Sequence, residues 1–123
     1  MKKVLKNVVM SDMLRQLRLI LSQRNLIGYI AARNYRILSD NLIEYEKFKN
    51  DLINKYGEVD TDEFGNPIVS IKIGSERFQE FSKELEPLNN VEHEVDLMMA
   101  KYEDAIGILS GEEILNIDWM FED

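Results

Sequence analysis

Apolar side chains recur along this chain at three- and four-residue spacing, and the longest run, Tyr35, Leu38, Leu42, Tyr45, Phe48, Leu52 and Tyr56, keeps that spacing throughout. Only a helix gathers such positions on one side, so the run predicts a helix starting around Leu26 to Ala31 and ending at Tyr56. Gly57 follows directly and is the residue type that most easily takes the left-handed conformation closing a helix. At ~1.5 Å per residue, a helix of about 25 residues spans roughly 40 Å.

Ahead of it, Met13, Leu14, Leu17, Ile20 and Leu21 form a shorter stripe that predicts a first helix ending near Gln23, with Ser11 as N-cap and Asp12 in the first turn. Residues 2–9 are rich in β-branched side chains (Val4, Val8, Val9) and read as a short strand. The segment from Glu58 to Pro67 is polar and turn-forming; Ile68, Val69, Ile71 and Ile73 after it read as a strand. Ser75 is placed to cap a helix whose Phe78, Phe81, Leu85 and Leu88 share one face, with Glu76, Glu80 and Glu84 opposite and Pro87 expected to end or kink it.

Val91, His93, Val95 and Leu97 then alternate with Glu92, Glu94 and Asp96, the period-two pattern of a half-buried strand. Residues 98–106 fit a strand continuation or a short helix equally. The Ser110-Gly-Glu-Glu113 run forms a capping box that opens a last helix, and Ile114, Leu115, Ile117, Trp119, Met120 and Phe121 give that helix more apolar surface than its length needs, so it is expected to dock. The elements together predict one α+β domain over residues 1–123. It is mainly helical, with a long central helix and a C-terminal helix packed with a small sheet made from residues near 2–9, 68–73 and 91–97.

Composition narrows the class. An apolar fraction of 45% with 31% charged residues is ordinary for a globular protein, and the absence of Cys excludes a disulfide framework and any thiolate metal site. The basic start is followed by Lys6, Asp12, Arg15 and Arg18, which interrupt the apolar stretch a signal peptide needs, and the apolar runs fall far short of the ~20 residues that span a bilayer. The expected location is the cytoplasm, with no membrane partner.

Charge changes the picture most. Residues 1–50 carry ten Lys/Arg against four Asp/Glu and residues 51–123 five against nineteen, for a net charge of −8 overall. Arg15, Arg18, Arg24, Arg33 and Arg36 with Tyr29 and Tyr35 hint at a phosphate-binding face, but Arg33 and Arg36 fall on different sides of their helix and the acidic half repels a polyanion, so direct nucleic-acid binding is not expected. Pairing between the basic and acidic parts, within one copy or between two, explains the asymmetry more simply.

Candidate chemistry is sparse. Asp60, Asp62 and Asn66 with Glu58 and Glu63 invite a calcium reading, yet Phe64 occupies a ligand position of the EF-hand pattern and Ile71 stands where the bidentate Glu belongs. His93 is the only histidine and its sequence neighbours Glu92 and Glu94 point to the opposite sheet face, which leaves it without a carboxylate to orient its ring. No Gly-rich phosphate loop, nucleophile elbow or His-Glu-x-x-His motif occurs. The expectation is a protein without catalytic residues, metal or cofactor that acts by binding a protein partner, itself included. Aromatic and Met side chains dominate interface hot spots, which selects Tyr35 and Tyr45 on the long helix and Trp119, Met120 and Phe121 at the end of the chain. The alternative is an acidic inhibitor of a host nuclease or defence complex, in which Glu76, Glu80, Glu84, Glu92 and Glu94 imitate a phosphate backbone.

The stretch from Ala31 through Asn-Tyr-Arg-Ile-Leu-Ser-Asp-Asn-Leu to the Asp-Glu-Phe-Gly-Asn-Pro turn at 62–67, followed by an acidic segment and Ser-Gly-Glu-Glu-Ile-Leu-Asn-Ile-Asp-Trp at 110–119, resembles a family of small phage and prophage proteins of Gram-positive bacteria classed as a domain of unknown function. The likeness departs at Pro87, where relatives continue their helix, and between Val95 and Ser110, a shorter segment here. The resemblance implies a viral origin, often beside tail, holin and lysin genes. It implies no known activity and carries no catalytic residues over.

Overall fold

A computed structural model describes residues Met1–Asp123. The order of elements is β1 (Lys2–Lys6), α1 (Asn7–Arg18), α2 (Leu26–Tyr56), β2 (Glu58–Thr61), β3 (Pro67–Ser70), α3 (Glu76–Asn89), β4 (Glu92–Asp96), β5 (Ala100–Lys101), α4 (Tyr102–Ala105), α5 (Gly111–Asn116), a 3₁₀ turn (Asp118–Met120) and β6 (Phe121–Glu122). The fold is α+β and mainly helical, with the long helix that the periodicity predicts; in place of one small sheet there are three of two strands each, two of them antiparallel. The chain divides into two compact units: Met1–Leu42 with Glu92–Asp123, and Ile43–Val91; α2 contributes residues to both.

In the first unit β1 and β4 pair antiparallel, Lys2 opposite Asp96, Val4 opposite Glu94 and Lys6 opposite Glu92. These pairs lie on one sheet face; Lys3 opposite Val95 and Leu5 opposite His93 lie on the other. The strand stops at Lys6, so the β-branched Val8 and Val9 belong to α1 and not to a strand over 2–9. Burial decides this. Asn7, Met10, Met13 and Leu17 sit on one buried helical stripe while Val8 and Val9 stay exposed, and packing of that stripe outweighs the weak β-propensity of two surface valines. Ser11 is therefore inside α1 and caps nothing; Lys6 is the N-cap, and Asp12 instead pairs with Arg15 one turn on. The helix ends at Arg18, short of Gln23, because the chain tightens into turns: the Ile20 and Gln23 N–H groups donate to the carbonyls of Leu17 and Ile20.

α2 begins where Asn25 accepts from the Gly28 N–H at 3.1 Å, a capping bond that satisfies a first-turn donor. Gly28 is obligatory there, since a Cβ would stand 1.9 Å from the Gln23 carbonyl oxygen. Ile27, Ala31, Leu38 and Leu42 are buried along it and Asn34 falls on the same stripe. Val95 and Leu97 of the β4 segment and Ile117, Met120 and Phe121 near the end of the chain are buried in the same unit. Each fully buried large apolar side chain contributes roughly 1.5–3 kcal/mol.

The end of the chain departs from a single docked helix. The capping box forms as expected: the Ser110 hydroxyl accepts from the Glu113 N–H at 3.1 Å and the Glu113 carboxylate accepts from the Ser110 N–H at 2.9 Å. α5 nevertheless ends at Asn116, and the chain continues through the 3₁₀ turn into β6, which pairs parallel with β5 through Ala100 opposite Phe121. Leu115 is left exposed while Ile117, Met120 and Phe121 are buried. Residues 98–106 resolve into both of the forms their sequence fits, a two-residue strand and one turn of helix.

In the second unit α2 stops at Tyr56 as predicted, by a different device. Gly57 is not left-handed; a Cβ on it would lie 2.4 Å from both the Ile53 carbonyl oxygen and Val69 Cγ1, so glycine is there for close approach of the hairpin to the helix end. β2 and β3 form that hairpin, Glu58 opposite Ser70 through Thr61 opposite Pro67. The strand expected over 68–73 thus covers 67–70 and joins no sheet with residues 2–9 and 91–97; its partner is the polar 58–61 segment. The turn explains the pairing: Gly65 is left-handed at φ 80°, and the Asp62 carboxylate accepts from the Phe64 and Asn66 N–H groups at 2.9 and 2.8 Å. α3 starts at its Ser75 cap, whose hydroxyl accepts from the Phe78 N–H at 3.1 Å, and runs two residues past Pro87. Proline removes only one backbone bond so near the helix end, and the Asn90 side-chain amide donates to the Glu86 carbonyl at 3.1 Å.

Candidate functional site

The aromatic and Met residues selected from sequence separate by burial. Met120 is 0% and Phe121 6% exposed, and the Phe121 ring stacks on Tyr102 with centroids 5.3 Å apart, so both side chains are core. Tyr45 is also buried, its hydroxyl donating to Asn89 Oδ1 at 2.5 Å. Desolvation by burial, helped by the Glu46 charge, pushes its phenol above the ordinary value. Trp119 is half-buried with its indole N–H donating to Gln16 Oε1 at 2.8 Å, and half-buried Tyr35 accepts from Arg18 Nε at 3.3 Å. Only Tyr35 and Trp119 of this group retain a solvent-facing edge.

The glutamates are exposed, and cations stand among them. Glu94 lies 3.9 Å from Lys2 Nζ, and Glu92 stands opposite Lys6 in the ladder. Part of the basic start of the chain and part of its acidic half therefore share one sheet face in the first unit. On α3, Glu76 and Glu80 are exposed and Glu84 pairs with Lys55 at 3.1 Å. The hydrogen bond from Lys55 is the main cause that holds the Glu84 carboxyl below its ordinary range, and the bond to Glu84 raises Lys55.

No three His, Asp or Glu side chains gather in a way that could hold a metal ion. Asp62 spends its carboxylate on the turn, and Asp60 accepts from the Thr61 N–H at 2.8 Å. His93 is half-buried opposite Leu5. No helix is long and apolar enough to cross a membrane.

Sequence reasoning passed over the most exposed apolar side chains of the second unit. Phe64 is 81%, Val59 75% and Ile73 87% exposed, with Ile68 and Val69 also open on the hairpin. The signal was present: Phe64 is a large aromatic inside a turn that otherwise uses Asp, Gly, Asn and Pro, and apolar residues in a strand lacking a third strand have nothing to cover them. At the base of the same hairpin an apolar groove of about 250 Å³ is lined by Lys49, Ile53, Val69, Phe78 and Phe81 with part of residues 70–71. Such an arrangement can seat an apolar side chain; it brings no nucleophile, acid or base together. Compared with known protein families, characterised proteins and solved structures, the chain matches none.

Proposed function

We propose that the protein is a phage-derived, non-enzymatic accessory protein of the bacterial host cell that acts by binding protein, either another copy of itself or a virion or morphogenesis component. The observation that carries the reading is the set of large apolar side chains on and just after the β2–β3 hairpin, Phe64, Val59 and Ile73 each at least three-quarters exposed, with an apolar groove at the hairpin base. Isolated apolar residues are normal on a surface, but several on one small element mark a surface that another protein covers. The viral origin rests on the likeness of the 31–67 and 110–119 segments to the phage family.

The test places a photo-crosslinking phenylalanine analogue at Ile73 and illuminates cells that express the protein together with the phage structural genes. A single adduct of defined mass supports the reading. Absence of any discrete adduct at Ile73, with the same analogue at Phe64 and Val59 equally silent, refutes it.

A further inference from the structure

The hairpin of the second unit carries both a projecting aromatic and a groove of matching chemistry, and a chain cannot insert the one into its own other. Phe64 sits in the turn beyond the last ladder pair, Thr61 with Pro67, whereas the groove opens at the base pair end, near Val69. At ~3.3 Å per strand residue, the ladder holds the tip and the groove on the order of 10 Å apart. The tip is also stiff: besides the bonds to the Asp62 carboxylate, the Asp62 N–H donates to the Asn66 carbonyl at 2.9 Å and the Gly65 N–H to the Asp62 carbonyl at 3.0 Å. A rigid turn presents an exposed aromatic at low entropic cost, the property of an interface anchor.

Charge identifies what the groove receives. Phe64 is flanked by Asp60, Asp62 and Glu63, so whatever accepts it meets an acidic rim. The groove supplies the opposite sign through Lys49, which lines it together with Ile53, Val69, Phe78 and Phe81 and whose Nζ lies 5.9 Å from the Tyr45 ring centre. A knob and a hole of complementary charge on one unit are the two halves of a contact between copies, which closes as an isologous pair when each copy inserts into the other.

We infer that two copies of this chain associate through reciprocal insertion of Phe64 into the groove formed by Ile53, Val69, Phe78 and Phe81, with Glu63 of each copy facing Lys49 of the other. This rests on the protein-binding reading above and names the occupant of the surface. Sedimentation of the full-length protein across a concentration series tests it. The wild-type chain forms a dimer; Phe64→Ser, a change at an exposed site, weakens the dimer by about 30-fold, the range of an anchor residue. Lys49→Glu also weakens it, and combining Lys49→Glu with Glu63→Lys restores it while each protein keeps the wild-type circular dichroism spectrum. A wild-type chain that stays monomeric, or a dimer indifferent to Phe64→Ser, overturns the inference. A dimer indifferent to Phe64→Ser, or a monomer with a discrete crosslink from Ile73 to a different protein, leaves protein binding standing; a monomer with no crosslink removes both.

Discussion

Asn34 shows at the scale of one residue how a polar side chain specifies a fold. It is 0% exposed, and its amide donates to the Met98 carbonyl and accepts from the Met98 N–H, both at 2.8 Å, so it serves that backbone as a paired strand would. Removing it leaves two main-chain groups without their partner, so Asn34→Ala is expected to destabilise by roughly 1–3 kcal/mol, read as a lower urea midpoint. Asn34→Asp keeps the shape but cannot donate to the carbonyl and is expected to fall below wild type as well. Charged pairs on the surface follow a different rule. The Lys55 bond lowers the Glu84 pKa from 4.5, so the pair contributes above that pH and its contribution is lost as pH falls through the lower folded value. Lys55 is raised from 10.5, so its part is present below that pH and lost as pH rises through the higher folded value. In Lys55→Met the Glu84 carboxyl resonance should titrate closer to the ordinary carboxylate range; an unchanged titration would show that the pair does not persist in solution.

Elements here are set by their ends as much as by their stripes. The Ser110–Glu113 capping box holds α5, an element of six residues that would be unstable alone. Ser110→Ala removes its hydroxyl acceptor and is expected to cost about 1 kcal/mol, measurable as a drop in thermal midpoint, with Ser110→Asp recovering most of the loss. The same logic makes the elements legible in sequence to different degrees. Ser75, Ser110 and the Tyr56–Gly57 step are local signals, and each marks a boundary that the fold keeps. The start of α1 and the end of α5 carry no such local signal. Their limits depend on which side chains find buried space, so Val8 and Val9 read as strand and form helix, and Leu115 reads as core and faces solvent.

Across the whole molecule, charge and apolar surface are distributed unit by unit. The unit containing β1 and β4 has nine Lys/Arg and twelve Asp/Glu, and the Ile43–Val91 unit six and eleven, so the opposite net charges of the two sequence halves do not survive as opposite net charges of the units. The return of β4 to pair with β1 is what mixes them. The second unit buries little, with Tyr45, Phe81 and Leu85 as its buried apolar side chains and a hairpin exposed along both strands. A hairpin of that kind is marginal in water unless something covers it, which is why the interaction proposed for this protein belongs there and not at the aromatic chain terminus.

Period, caps and turn chemistry act between residues close in sequence, and so the α+β class, the long helix to Tyr56, the β4 alternation and the last capping box were determined by the sequence alone. The tertiary structure decided what depends on distant partners: that residues 58–61 and not 2–9 pair with 67–70, that Met120 and Phe121 are core, that Asn34 reaches Met98, and that Phe64 stands in solvent. Burial is a property of the assembled chain. An aromatic residue has the same local signature whether it fills a core or awaits a partner, and only the packing around it distinguishes the two.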